Sequence, residues 1–235
     1  MILDDFVLLA SDTARTKAYL QMMVKDDLMP SLCLVYTDDK KKMEDEDGSF
    51  KSISSVEYFD LNEPVLWTIK NAGMKYEIID NKDINSDEIS ERIRSLPQKY
   101  LIYSGYGGYI LKPHLFQIGK KFVHVHAGIL PMYRGSTTAY YSMLQENYIG
   151  ATAIFLSEGI DEGEIITSEK FESPSRDLNI DVLYEPYLRA QVLKKALNKY
   201  IEEGEFKACP QEVKDAQTYF IIHPVLKHLA MMAKR

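Results

Sequence analysis

The chain has 235 residues, of which 46% are hydrophobic, and its formal net charge is −7. This length suits one α/β domain with a short appendage, and the hydrophobic content is ample for a core. The negative charge argues against a nucleic-acid ligand, because proteins that bind a phosphate backbone need clustered Lys and Arg. No apolar run approaches the roughly 20 residues that span a bilayer, and the N-terminus lacks the basic and apolar regions of a signal peptide. These features predict a cytoplasmic protein that binds neither nucleic acid nor a membrane.

The first part of the chain has the pattern of a β-α-β unit. Residues 6–10 and 32–36 are short apolar runs typical of buried parallel strands, and a helix is predicted between them over 14–25. This start favours a doubly wound, mostly parallel sheet. The first strand is not followed by Gly-x-Gly-x-x-Gly, which argues against NAD or FAD. Arg15, at the start of the helix, is a candidate contact for a substrate phosphate, and a solvated capping turn is the alternative.

The next part contains one irregular segment and several regular elements. Residues 38–55 are highly charged and predict a solvated loop, with a lid over the substrate as the alternative. Asn62 is predicted to cap a helix over about 64–73, and Ser86 to cap a helix over 87–96. Strands are predicted at 76–79 and 99–103, and a short helix at 112–118.

The strongest chemical signal lies at residues 122–126, Phe-Val-His-Val-His, which predict a strand. Side chains two positions apart share a face of a strand, so His124 and His126 are predicted to point the same way. A loop that contains Pro131 and Gly135 follows. Open α/β sheets bind ligands beyond the carboxyl ends of their strands, which makes the two imidazoles candidate functional groups.

Three motifs in this region resemble those of the folate-dependent formyltransferases. His-x-His-x-x-x-Leu-Pro, followed by Tyr-Arg-Gly at 133–135, resembles the signature loop of that family. Residues 158–166 resemble its second hallmark, a glycine-flanked Leu/Ile-Asp-x-Gly, and residues 103–113 resemble its pterin-pocket segment with about one extra residue. Any one of these motifs is weak, but three in order at similar spacing make a specific signal.

The resemblance implies a Rossmann-like α/β fold and an enzyme that transfers a formyl group from 10-formyltetrahydrofolate to an amine. The family's catalytic triad is Asn-His-Asp. His126 matches the His and Asp161 matches the Asp, but His124 stands in place of the Asn. A neutral imidazole can donate one hydrogen bond, as the amide does, although it also titrates near neutral pH.

Candidate binding residues follow from the same motifs and from the chain ends. For Ile110 and Leu111 in the pterin segment, the alternative to contact with the cofactor is ordinary core packing. For Tyr219, the alternative to stacking on a nucleotide base is packing in a core or an interface. The candidate cofactor contacts are Gly108, Tyr109, Ile110, Leu111, Gly159 and Ile160. The candidate substrate contacts are Arg15, Tyr133, Arg134, Gly135 and Tyr219.

The C-terminal part is predicted to contain a helix and two strands before a long final helix of the main domain. The helix runs from Ser136 or Thr137 to Glu146, the strands cover 150–156 and 164–171, and the long helix ends at 203–204. Short extended pieces and a last helix over about 225–233 follow. We therefore predict a formyltransferase-like catalytic domain at 1–204 and an extension at 205–235 that contacts a nucleotide or a second subunit.

Elimination among the family's substrates favours a nucleotide-linked amino sugar. A tRNA substrate is disfavoured by the charge and by the lack of room for the further domain of the methionyl-tRNA enzymes. The purine-pathway enzymes carry a glycine-rich loop after the first strand, which is absent here. The resemblance to the sugar enzymes also implies a product for bacterial surface glycans and a homodimer.

Other functions stay open at this point. A metal-dependent hydrolase would use His124, His126 and Asp161 as ligands, with His114 or Glu164 as a further ligand. A formyltetrahydrofolate hydrolase would use the same triad with water as the nucleophile. A non-catalytic folate- or nucleotide-binding module and a family member acting on another small amine complete the alternatives. Formyl transfer itself needs no metal, and the two distant cysteines do not indicate a metal site.

Overall fold

The computed structural model describes residues 1–50 and 57–232. They fall into two compact units, Met1–Val123 and His124–Arg235. In the described part of the chain, no helix combines the length and the apolar character needed to cross a membrane.

The first unit consists of parallel strands that alternate with helices, as predicted. Its strands have apolar side chains on both faces, and all five residues of the strand at 100–104 are buried. Such continuous burial is typical of strands covered by helices on both faces. The elements are β1 (Ile2–Ala10), α1 (Ala14–Lys25), β2 (Met29–Thr37), α2 (Lys40–Ser49), α3 (Val65–Asn71), β3 (Tyr76–Asp80), α4 (Asp87–Ser95), β4 (Tyr100–Ser104), α5 (Pro113–Phe116) and the first half of β5 (Lys121–His126).

The second unit begins in the middle of β5 and contains the C-terminal extension. Its elements are β6 (Arg134–Gly135), α6 (Thr138–Glu146), β7 (Tyr148–Phe155), β8 (Ile165–Glu172), a π-helical turn (Ile180–Tyr184), α7 (Glu185–Glu203), a 3-10 turn (Val213–Asp215), β9 (Thr218–Tyr219) and α8 (Pro224–Met232). The long helix α7 ends at Gly204, whose positive φ of 76° closes the helix where the sequence predicts its end.

The strands form one seven-stranded sheet in the order β3-β2-β1-β4-β5-β7-β8. β1 pairs in parallel with β2 and with β4, and β4 pairs in parallel with β5. β8 is antiparallel to β7 and lies at the edge of the sheet. The order reverses direction around β1, as in a doubly wound fold, so the predicted Rossmann-like, mostly parallel α/β class is confirmed.

Two local predictions are wrong. The loop predicted at 38–55 contains α2, which Asp39 caps by accepting a hydrogen bond from the backbone N–H of Lys42. Lys, Glu and Met are good helix formers, and the segment places lysines four residues before acids, so local propensity outweighs the polar composition. Residues 51–55 of that segment lie outside the described residues. Asn62 does not cap α3, which begins after Pro64 without a side-chain cap, whereas Ser86 caps α4 as predicted.

The C-terminal extension packs onto other elements of the second unit. β9 pairs in parallel with β6, so that Gly135 lies beside Tyr219. Cys209 forms an isolated antiparallel bridge with Ile165, at the start of β8. The extension therefore contributes backbone hydrogen bonds next to the loop that follows β5.

Candidate active site

His126 lies at the carboxyl end of β5 and is enclosed, with 5% of its surface exposed. Its Nε2 is 2.6 Å from the carbonyl oxygen of Tyr133, and its Nδ1 is 3.3 Å from Oδ2 of Asp161. A carbonyl oxygen can only accept a hydrogen bond, so Nε2 carries a proton and is the hydrogen-bond donor. A hydrogen bond across the gap to Asp161 then requires one further proton, held by the imidazole or by the carboxyl group. The pair is therefore arranged to hold and release a proton.

The surroundings of His126 act on its pKa in opposite directions. Burial has the largest effect and lowers the pKa, because the charged imidazolium loses its hydration. The Asp161 carboxylate and the Tyr133 carbonyl favour the charged form and act against burial. The imidazole is thus neutral more readily than an exposed histidine, which suits a group that accepts a proton.

Asp161 is positioned by a strained loop and by one backbone hydrogen bond. Its φ of 54° lies in the left-handed region, which is uncommon for residues other than glycine. Its Oδ2, the oxygen that faces His126, accepts a hydrogen bond of 2.9 Å from the N–H of Gly135. The same loop requires a glycine at 163, because a Cβ there would collide with the carbonyl oxygen of Phe155. The Asp-x-Gly spacing of the motif thus has a steric reason.

The turn after β5 is held by buried hydroxyl groups. Thr152 of β7 donates from Oγ1 to the carbonyl of Gly128 at 2.6 Å and accepts from the N–H of Leu130 at 3.1 Å. Thr138 donates to the carbonyl of Ala127. A Cβ on Gly128 would come within 2.9 Å of Nε2 of His126 and 2.7 Å of the Tyr133 carbonyl. The turn therefore needs glycine so that the backbone can approach the imidazole closely.

Tyr133 and Tyr219 pack against each other beside this turn. Their rings are stacked with centroids 5.5 Å apart, and Tyr219 also contacts the ring of Tyr141 at 4.5 Å. The hydroxyl of Tyr133 donates to Glu146 at 2.7 Å, and this hydrogen bond, after burial, raises the pKa of Tyr133. Tyr219 thus makes aromatic packing, which was the predicted alternative to stacking on a base.

Arg134 and Gln211 tie the C-terminal extension to the Asp161 loop. The buried guanidinium of Arg134 donates to Oε1 of Gln211 from Nη2 at 2.7 Å and from Nε at 3.1 Å. Nε2 of Gln211 donates in turn to the carbonyl oxygens of Asp161 and Gly163, each at 2.7 Å. The other arm of Arg134 reaches Glu162 at 3.2 Å. Sequence reasoning missed Gln211 because it follows no motif and lies far from Asp161 along the chain.

His124 is half-buried on the same strand as His126, and Arg189 of α7 contacts its ring. A guanidinium next to the imidazole opposes the binding of a metal cation at that ring. Among the described residues, no group of three or more His, Cys, Asp or Glu side chains is arranged to hold a metal ion. His114, one of the two candidates for a further metal ligand, has its Nε2 3.2 Å from Oγ of Ser90 in the first unit.

The predicted pterin segment lies in the first unit. Gly108 has a φ of 82°, Ile110 is 65% exposed, and Leu111 is buried. The core alternative therefore applies to Leu111 and not to Ile110. Asn85 fixes the segment, since its amide donates to the carbonyl of Ile110 at 3.1 Å and accepts from the N–H of Lys112 at 2.7 Å. Sequence reasoning missed Asn85, which lies in the turn before α4.

The other predicted contacts are distributed over both units. In the first unit Arg15 donates to Oγ of Ser104 at 3.3 Å and to the carbonyl of Gly105, while Thr13 caps α1. In the second unit Gly159 and Ile160 immediately precede Asp161, and Ile160 is 56% exposed. Six of the predicted site residues lie together in one cluster of the second unit: His126, Asp161, Tyr133, Arg134, Gly135 and Tyr219. Arg15 and residues Gly108 to Leu111 belong to the first unit.

The chain thus has a mostly parallel α/β sheet with a buried histidine, paired with an aspartate, at the carboxyl end of a central strand, which is the end at which open α/β sheets bind ligands. The family model described as formyl transferase matches residues 5–185. The chain therefore belongs to the formyl transferase family, and the resemblance of the three motifs is confirmed.

Two relatives are methionyl-tRNA formyltransferases. The one from Finegoldia magna is 26% identical over 127 residues, which cover 53% of this chain and 41% of the relative. The one from Ruminiclostridium cellulolyticum is 30% identical over 139 residues, or 58% and 44% of the two chains. The matches thus span less than half the length of these curated relatives.

Solved structures of low sequence identity share the fold. An N-formyltransferase from Helicobacter canadensis, in complex with folinic acid and dTDP-3-aminofucose, is 16% identical with a TM-score of 0.58 and covers 93% of this chain and 71% of its own. A sugar N-formyltransferase from a Shewanella species is 14% identical with a TM-score of 0.59, and the match covers 96% and 86%. Glycinamide ribonucleotide transformylase 1 from Symbiobacterium toebii is 16% identical with a TM-score of 0.57, and the match covers 90% and 93%.

We expect Gln211→Ala to destabilise the protein by about 1–3 kcal/mol, because it leaves the buried Arg134 and two loop carbonyls without their shared partner. Urea denaturation measures the change in the free energy of unfolding. The neighbouring variant Glu212→Ala is the control, since Glu212 is exposed, and it should change stability by less than about 0.5 kcal/mol. Equal effects of the two variants would show that the Gln211 contacts do not support the loop.

Proposed function

We propose that this protein transfers a formyl group from 10-formyltetrahydrofolate to the amine of a small molecule. The observation that carries the proposal is the approach of Asp161 to within 3.3 Å of the buried His126 imidazole. Membership of the formyl transferase family supports it, as does a solved structure of the same fold in complex with folinic acid. Hydrolysis at a metal centre gains no support, because a cationic guanidinium contacts the His124 ring.

Each member of the proposed triad has a separate role. Asp161 accepts the proton that the attacking amine releases and passes it to Nδ1 of His126, because Nε2 keeps its own proton on the Tyr133 carbonyl. The pair then returns a proton to the nitrogen that leaves. His124 donates a hydrogen bond to the formyl oxygen, where negative charge develops. The backbone N–H of Gly135 keeps Asp161 in place throughout.

The folate would supply the formyl group, and the residues of the pterin segment suit a flat aromatic ring. Tyr109 is 39% exposed and Ile110 is 65% exposed, and Asn85 holds the backbone between Ile110 and Lys112. Exposed apolar side chains on a fixed segment are what a ligand of this shape would cover. In the second unit, Gly159 and the exposed Ile160 are the proposed contacts beside Asp161.

We place the catalytic domain at residues 1–204 and a supporting extension at 205–235. The end of α7 at Gly204 supports a boundary there. Gln211 and Tyr219 of the extension reach the Asp161 loop and the Tyr133 ring, so the extension would support the site from one side.

We propose a nucleotide-linked amino sugar as the acceptor, with Tyr133, Arg134 and Gly135 of the second unit near it. The net charge of −7 favours a small molecule over a polyanion. A solved neighbour binds dTDP-3-aminofucose, which supports this choice. Methionyl-tRNA is the second candidate, because the two relatives from Finegoldia magna and Ruminiclostridium cellulolyticum are methionyl-tRNA formyltransferases.

The triad is tested in a formyl-transfer assay with 10-formyltetrahydrofolate. We expect His126→Ala and Asp161→Asn to lower kcat/KM by about 10²–10⁴-fold, because each removes part of the proton route. His124→Asn should keep much of the activity, since it restores the family's residue. Glu202→Gln is the control, because it makes the same carboxylate-to-amide change at the exposed end of α7 and should be neutral. Full activity of Asp161→Asn would contradict the assigned proton route.

The acceptor is tested by thermal shift with tetrahydrofolate, UDP, dTDP, glycinamide ribonucleotide and methionyl-tRNA, each added separately. We expect tetrahydrofolate and one nucleoside diphosphate to raise the melting temperature, since a ligand that binds only the folded state stabilises it by about 2.7 kcal/mol at 100 times its Kd. A shift with methionyl-tRNA alone, abolished by salt, would instead establish the second candidate.

We also propose that the protein is a homodimer that buries an apolar surface of the extension. Phe220 is 81% exposed, Ile221 79%, Val225 59% and Leu229 49%. Four large apolar side chains exposed within ten residues of sequence are more than a monomer usually leaves in water. In sedimentation velocity we expect the native chain to be a dimer and Phe220→Asp/Val225→Asp to be a monomer, whereas Val213→Asp, at another exposed apolar position, should stay dimeric. A monomeric native chain would refute the dimer.

A further inference from the structure

Arg189 on α7 makes three contacts that fix the plane of its guanidinium. Its Nε donates to the carbonyl oxygen of Val125 at 2.6 Å, and its Nη1 donates to Glu185, one turn earlier on the same helix, at 3.0 Å. Its Nη2 is 3.2 Å from Nε2 of His124. The side chains of Arg189 and Glu185 are 12% and 21% exposed, so solvent screens this ion pair only weakly.

The contact with Arg189 decides which nitrogen of His124 carries the proton. A guanidinium has only N–H donors, so Nε2 of His124 must accept and is unprotonated. A neutral imidazole has one N–H, which therefore lies on Nδ1. In water neutral imidazole side chains favour the opposite tautomer, with the proton on Nε2, so the arrangement depends on the donor at Arg189.

The selected tautomer places a donor where an asparagine has its amide. Nδ1 of histidine and Nδ2 of asparagine are both bonded to Cγ, so they lie at the same distance along the side chain. Nε2 lies farther out, beyond the reach of an asparagine. A histidine with its proton on Nε2 would present a lone pair, and not a donor, at the inner position.

We infer that Arg189 is a positioning residue that fixes His124 as the Nδ1–H tautomer and so enables it to replace the asparagine of the formyltransferase triad. The inference rests on the proposed function for the role of the Nδ1 donor, but the tautomer is a property of the folded protein alone. Arg189 does not contact the reacting atoms in this scheme. Arg189 affects formyl transfer only by fixing the tautomer of His124.

The tautomer is measured directly by two-bond ¹H–¹⁵N correlation spectra of protein with ¹⁵N-labelled histidines. The His124→Asn variant identifies the His124 signals among the five histidines of the chain. We expect Nε2 of His124 to resonate as an unprotonated nitrogen and Nδ1 as a protonated one. In Arg189→Met we expect the Nε2–H form to appear. The control Lys195→Met removes a cation of the same helix that pairs with Glu169, and it should leave the signals unchanged.

The catalytic consequence is measured by a double-mutant cycle. Arg189→Met should lower kcat/KM about tenfold in the presence of His124, which is less than the full loss of an oxyanion donor. In the His124→Asn background the same change should cost at most about twofold, because the shorter amide does not reach Arg189. Arg189→Lys should restore part of the activity if its single ammonium group reaches Nε2.

The outcomes separate the inference from the proposed function. A native His124 with its proton on Nε2, or with both nitrogens protonated, overturns the inference whatever the activity. An equal loss from Arg189→Met in both backgrounds overturns it as well, since Arg189 would then act on the fold and not through His124. The expected tautomer together with no formyl transfer by the native protein would refute the proposed function and leave the assignment of the tautomer intact.

Discussion

The geometry of the site depends on one carboxylate oxygen, Oδ2 of Asp161. It faces the imidazole of His126 and also accepts the backbone N–H of Gly135. A buried carboxylate is stable only when its lost hydration is replaced by donors, and here one of those donors is part of a fixed backbone. The position of the acid is therefore set by the fold.

Two glycines and two threonine hydroxyls allow Asp161 to approach the imidazole of His126. Gly163 lets the Asp161 loop pass the end of β7, and Gly128 lets the preceding turn approach the imidazole. Thr152 and Thr138 satisfy backbone groups that the tight turn leaves without partners. The motifs thus contain the histidine and aspartate side chains and also the glycines whose lack of a Cβ lets the backbone pass close to them.

The sequence predicted the sheet class, most helices and the members of the His-Asp pair, because these depend on local periodicity and on ordered motifs. The prediction of a loop at 38–55 missed α2, because it considered the charge of the segment and not the helix propensity of its residues. Sequence reasoning also missed Asn85, Arg189 and Gln211. Each of these acts through one hydrogen-bonding side chain on a remote segment, and no local pattern distinguishes such a residue from an ordinary surface polar group.

The position of Gln211 has a consequence for how family members are compared. The region shared with the formyl transferase family ends at residue 185, so both Gln211 and Arg189 fall beyond it. Two chains aligned only over that region can have the same residue at every catalytic position and still differ in the side chains that hold those residues in place. Differences in how such proteins hold these side chains can therefore lie outside the region that the family model covers.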